Sequence, residues 1–147
     1  MHPRLPLEEI ATHLRALLAT TSFARIGTHL DVDFAASYGK SFNQVWLLGQ
    51  RVRRRSSRSA TEGYSGFFRA HMTAELAVRL VLRRNEPGVP NGEETLTRCL
   101  EDVLGALNGW RPQFADEPFV LVEQKDGPVG ESITTVDLIF DCTITYS

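Results

Sequence analysis

Apolar residues recur along the chain with two different periods, and the changes of period divide it into elements. Leu7, Ile10, Leu14, Leu17 and Leu18 fall at helical spacing, with Glu8 and Glu9 where the first turn of a helix favours anions. A helix is expected over roughly Leu7 to Ala19. Between Thr21 and Asp33 a short alternation of Phe23, Arg25 and Gly27 against Ala24, Ile26 and Thr28 indicates a strand without clear ends. Gln44-Val45-Trp46-Leu47-Leu48-Gly49 is a nearly continuous apolar run closed by glycine, the pattern of a strand covered on both faces.

The clearest alternation runs from Phe68 to Leu82. Phe68, Ala70, Met72, Ala74, Leu76, Val78, Leu80 and Leu82 point one way, and Arg69, His71, Thr73, Glu75, Ala77, Arg79 and Val81 the other. At ~3.3 Å per residue such a strand would span about 50 Å. That is far beyond the common length of ~5–6 residues, so a bend, a bulge or pairing beyond the chain's own sheet is expected. Pro87, Gly88, Pro90 and Gly92 then form a turn-rich loop. A second helix follows with Leu96, Cys99, Leu100, Val103, Leu104 and Leu107 as its apolar stripe, Asn91 as a candidate N-cap, Glu93 and Glu94 in its first turn and Gly109 at its stop. Phe119-Val120-Leu121-Val122 and the run from Ser132 to Tyr146 close the chain as a hairpin, with Lys125-Asp126-Gly127-Pro128 as turn chemistry.

Together these elements predict an α+β fold: a mainly antiparallel β-sheet with two α-helices packed on one face. With 147 residues the chain fits one domain over 1–147. Hydrophobic residues at 42% and charged residues at 23% match ordinary globular usage, which excludes wholesale disorder. A formal net charge of -2 removes the strongly basic footprint of a dedicated nucleic-acid module. No apolar run approaches the ~20 residues of a membrane span, and the N-terminus lacks the pattern of a signal peptide. A protein made and used in a cytoplasm, with no membrane partner, is expected.

Recognisable catalytic chemistry is sparse. None of the four histidines, His2, His13, His29 and His71, has a helical metal spacing or a matched partner. Cys99 and Cys142 fall on apolar faces without paired-ligand spacing, so free buried thiols are expected rather than a disulfide or a metal site. Asp137 and Asp141 share a face of the last strand and could imitate a carboxylate pair, but a solvated strand face that resists stray edge pairing explains them more simply. Phosphate-loop, dinucleotide-binding and nucleophile-elbow motifs are missing. No enzyme, cofactor or metal is expected, although catalytic groups can converge from distant positions, and His71, Glu75 and a cysteine are the set that would do so.

One polar feature exceeds background. Arg51, Arg53, Arg54, Arg55 and Arg58 crowd a polar stretch that continues through Ser59, Thr61, Glu62, Gly63, Ser65 and Gly66. Its composition predicts a flexible arm or hairpin loop at about 50–67. Guanidinium groups pair with phosphates or carboxylates, so DNA and an acidic protein surface are both candidate partners, alongside a simply solvated loop. The absence of interleaved aromatics argues against base stacking.

The stretch Leu100-Glu101-Asp102-Val103-Leu104-Gly105-Ala106-Leu107-Asn108-Gly109-Trp110-Arg111-Pro112 is an amphipathic helix that runs into a GW-x-P corner, between the long strand and the closing hairpin. In this order of elements the chain resembles the small tail proteins of Mu-like contractile-tailed phages and prophages, which are similar in fold to tail terminator, or tail completion, proteins. The resemblance implies a non-enzymatic structural protein that assembles as a ring, often a hexamer. Such a ring caps the tail tube and offers a surface to head–tail connector proteins, in the host cytoplasm during assembly and then in the virion tail. The resemblance assigns no role to the arginines; in such a ring the arginine arm would either line the lumen, facing DNA phosphates, or grip acidic groups of a neighbour or of the tube protein. The corner itself reads as local packing, with Gly109 ending the helix, Trp110 burying area beside Leu107 and Pro112 blocking continuation. The competing reading is a small nucleic-acid-binding regulator that uses the same arginines.

Overall fold

The computed structural model describes residues 4–18, 23–39, 43–54, 70–83, 92–113, 115–128 and 133–146. The candidate N-cap Asn91, and Arg55, Arg58 and the rest of the expected arm from 55 to 67, lie outside the described residues. Three helices and five strands follow in the order α1 (Leu7–Leu17), β1 (Arg25–Thr28), α2 (Phe34–Ser37), β2 (Gln44–Arg54), β3 (Ala70–Arg83), α3 (Gly92–Leu107), β4 (Val120–Asp126) and β5 (Ile133–Tyr146). The strands form one sheet of order β1-β2-β3-β5-β4. Among the described residues, the β1–β2 pair is parallel and the other pairs are antiparallel.

The long alternation is borne out within β3, while Phe68 and Arg69 at its expected start lie outside the described residues. Ala74, Leu76, Val78, Leu80 and Leu82 of β3 are buried with Val136, Leu138, Phe140, Cys142 and Ile144 of β5 on one face of the sheet. β3 is satisfied inside its own sheet, pairing with β5 along its whole length from Ala70↔Tyr146 to Arg83↔Ile133. Leu7, Ile10, Ala11 and Leu14 of α1 and Cys99, Val103, Ala106 and Leu107 of α3 join the same buried cluster, so the two predicted helices share one face. α1 stops at Leu17, where Leu18 turns extended and donates its N–H to the Leu14 carbonyl.

The GW-x-P corner locks these layers together. Gly109 takes φ 86, a left-handed conformation that glycine adopts without a Cβ clash, and its N–H donates to the Phe119 carbonyl at 2.9 Å while Phe119 returns a 2.9 Å bond to Trp110. Trp110 stacks on His13 of α1, ring centroids 3.7 Å apart and planes within 6°, and His13 Nε2 lies 2.8 Å from the Ala106 carbonyl. His13 therefore has a structural role in joining α1 to α3.

The third helix, α2, is unanticipated by the sequence and explains why the Gln44–Gly49 run is apolar on both sides. Val45 and Leu47 face α1, whereas Trp46 is fully buried on the opposite face against Phe34 of α2, edge to face at 4.9 Å. Gln44, also fully buried there, accepts from Gly39 N–H and Trp46 Nε1 at 2.8 and 2.9 Å and donates to the Ser37 carbonyl at 2.7 Å. Its burial is tolerable because these partners replace water. Beside it Arg79 donates to both carboxylate oxygens of Asp137 at 2.7 and 2.9 Å and to the Tyr38 hydroxyl at 3.3 Å. Accepting by Asp137 raises the guanidinium pKa above its already high ordinary value. Asp137 is thus not part of a solvated strand face: it is buried, and β5 is an interior strand.

Candidate interaction surface at the sheet edges

The position of the arginines depends on one irregularity. Between Leu47 and Gly49 the β2–β3 register shifts, so that Leu47 pairs with Val78 but Gly49 pairs with Ala77. Gly49 has φ 149, within the range that favours glycine. A strand shifted by one residue turns every side chain to the other face. The bulge therefore places Gln50 and Val52 on the helix-bearing face, opposite Leu76 and Ala74, and sends Arg51 and Arg53 to the other face, opposite Glu75 and Thr73. Unbulged, the same sequence would drive two guanidiniums towards the core, against the steep cost of burying charge.

Residues 50–54 are thus ordered strand, which corrects the expectation that the arm starts near residue 50. Arg51, Arg53 and Arg54 are all exposed. Arg53 lies 4.0 Å from Glu75, with the two side chains 49% and 28% exposed, and such a pair is worth only ~0–1 kcal/mol. Glu75 stands directly across from Asp141 on β5, whose buried Oδ1 has no hydrogen-bond partner among the described residues. Like charges facing each other across strands are unfavourable, and Arg51 and Arg53 offset the pair. The arginines therefore have a local structural duty as well as exposed donors.

β1 covers only residues 44–47 of β2, and among the described residues no strand pairs with Gly49–Arg54 on the side away from β3. At the opposite edge β4 pairs only with β5, and all its residues except Leu121 are exposed. Val120 and Val122 are 57% and 52% exposed there, and on the loop leaving β1 Leu30 and Val32 are 64% and 107% exposed. These four, which the sequence did not single out, stand at the two sides of the sheet. Beside Leu30, an open cleft of about 440 Å³ lies between the β1–α2 loop and the segment Arg4–Glu8. From β1 the Arg25 guanidinium reaches this loop, bonded to Asp33 at 2.9 Å and to Asp31 at 3.2 Å, and holds the Asp33 carboxyl below its ordinary value.

The residues whose convergence would suggest catalysis are kept apart. His71 and Glu75 lie on the face away from α1 and α3, with His71 Nδ1 3.3 Å from the Thr145 hydroxyl. Cys142 and Cys99 are buried on the helix-bearing side. Burial, and secondarily Asp141, Asp116 and Glu117, push the Cys142 thiol up to about 12, and burial also raises Cys99. A protonated thiol is a poor nucleophile. Among the described residues no group of three or more His, Cys, Asp or Glu is arranged to hold a metal ion, and no helix is long and apolar enough to cross a membrane.

Comparison with curated proteins found none that matches. The family model described as phage tail terminator protein, however, matches residues 1–145, which include all of the sheet except Tyr146 at the end of β5, together with the helix-to-Trp110 corner. With nearly its whole length matched, the chain belongs to the phage tail terminator family and is a structural protein of a phage tail.

Proposed function

We propose that the protein is the ring-forming subunit of a tail terminator, a non-enzymatic ring that caps the tail tube and supports head–tail joining during assembly in the host cytoplasm. The match to the terminator family along residues 1–145 carries this reading. An exposed β4 on one side of the sheet and, among the described residues, an uncovered β2 segment Gly49–Arg54 on the other support it, because a head-to-tail contact between unlike surfaces closes into a ring when its rotation permits. In this reading the ring, a hexamer in the form the family resemblance implies, meets the tail tube, the head–tail connector and the DNA in its lumen. Arg51, Arg53 and Arg54 carry its exposed positive charge into the segment with Arg55 and Arg58. Their bidentate donors suit phosphate or carboxylate groups.

Replacing Arg51, Arg53 and Arg54 together with Ala tests the arginine role. The subunit should stay folded, while the yield of joined particles in a complementation assay falls. Wild-type yield with the triple variant would refute the role. Binding of duplex DNA by the isolated protein, weakening steeply between 50 and 200 mM salt, would instead favour the regulator reading.

A further inference from the structure

We propose that the two lateral edges of the sheet are the two halves of one subunit contact, with the β4 edge of one copy seated against the β1 side of the next. This rests on the reading of the chain as a ring subunit and assigns the surface that closes the ring. Of the five exposed large apolar residues among the described ones, Val120 and Val122 stand on one side of the sheet and Leu30 and Val32 on the other, with Leu17 apart at the end of α1. An apolar side chain left in water on a sheet edge invites pairing with another chain, and here each edge has a counterpart on the same molecule.

The levels and directions agree. Arg51, Glu75, Asp141 and Val120 stand in one row across the sheet, and Gly49, Ala77, Ile139 and Glu123 in the second row beyond it. The loop after β1 lies at this second level, because a Cβ on Gly49 would meet the His29 ring at 3.7 Å and His29 N–H donates to the Leu47 carbonyl at 2.9 Å. Following the pairing across the sheet, β4 runs antiparallel to β1 and β2. A rotation about an axis parallel to the strands preserves direction and face. It therefore brings the β4 side of one copy, with Val120 and Val122, towards Leu30 and its adjoining cleft on the next.

Charge agrees as well. β4 and its lead-in present exposed Asp116, Glu117, Glu123 and Asp126 against the two exposed cations Lys125 and Arg111. The receiving side presents Arg51, Arg53 and Arg54 on the open β2 segment, while beside Leu30 the carboxylates of Asp31 and Asp33 are paired with Arg25, and Arg4 and Glu8 line the cleft with one charge of each sign. An acidic edge and a basic edge on one molecule match in a head-to-tail contact and repel in a two-fold one.

The test is a chain carrying both Leu30→Cys and Val122→Cys, treated with a short bifunctional maleimide, with light scattering on the untreated protein in parallel. Cys99 and Cys142 are 1% and 4% exposed, so the native thiols do not compete. The double variant should give a ladder of covalent oligomers up to the ring, and each single variant should stay monomeric on a denaturing gel. A ring mass in solution without a ladder would overturn the contact and leave the ring reading standing. Dimers from a single variant would overturn the contact as well, since they report a two-fold interface. A wild-type protein that is monomeric at every concentration would overturn both. Val122→Asp and Leu30→Asp should each raise the concentration at half-assembly roughly tenfold or more, from the loss of one buried aliphatic side chain. Unchanged assembly in both would also contradict the contact.

Discussion

Arg79→Met removes the two bonds of 2.7 and 2.9 Å to Asp137 and leaves a carboxylate 8% exposed without its counter-charge. Breaking a buried pair by removing one partner costs ~3–5 kcal/mol. The Arg79 side chain is 20% exposed, so water reaches part of the site and the expected loss falls to about 2–3 kcal/mol. Asp137→Leu should cost less, about 1–2 kcal/mol, because the guanidinium can extend towards solvent on its apolar stem. Arg79→Met with Asp137→Leu should return to within about 1 kcal/mol of wild type, since a buried ion pair replaced by apolar groups is often neutral. Urea unfolding followed by circular dichroism reads these values, and with slopes of about 1–3 kcal/mol per molar the midpoint of the Arg79 variant should drop by about 1–2 M. Additive losses in the double variant would refute a coupled pair.

Two further predictions concern the bulge and the thiols. Gly49→Val forces a branched residue into φ 149 and should cost about 1–3 kcal/mol in urea unfolding; a variant as stable as wild type would show that the bulge is not needed at that position. Because the raised Cys142 value of about 12 lies above that of an unfolded thiol, this group contributes stability below an unfolded pKa of about 8.5, and the contribution is lost as pH rises towards about 12. At pH 8 a thiol reagent should therefore label neither Cys142 nor Cys99 until denaturant is added, and rapid labelling of native protein would contradict their burial.

The parts of the fold legible in the sequence were those whose signal is local. β3 announces itself because one face is apolar at every second residue from Met72 to Leu82. α1 and α3 show the helical period because each buries one stripe. α2, four residues long, is too short for any period, yet its Phe34 covers Trp46. The Arg79–Asp137 pair joins residues 58 positions apart, a distance no local pattern spans. The β4 edge was equally hidden: Phe119 and Val120 are both apolar, and only the folded chain shows that the first is fully buried and the second 57% exposed.

The arginines were legible as composition and their placement was not. Gly49 read as the end of a strand, whereas it is the bulge that lets β2 continue to Arg54 while Arg51 and Arg53 stay out of the core. Register is set by pairing with β3, which the linear pattern of β2 does not contain. The same pairing places the basic edge and the acidic, valine-bearing edge at opposite sides of one sheet.

The absolute mass of the purified protein in solution, by light scattering across a concentration series, tests the central claim most directly. The mass should rise with concentration to one discrete multiple of the chain mass, with no species beyond it, because a closed ring leaves neither contact surface open. A strict monomer throughout, or unlimited growth into filaments, would contradict it.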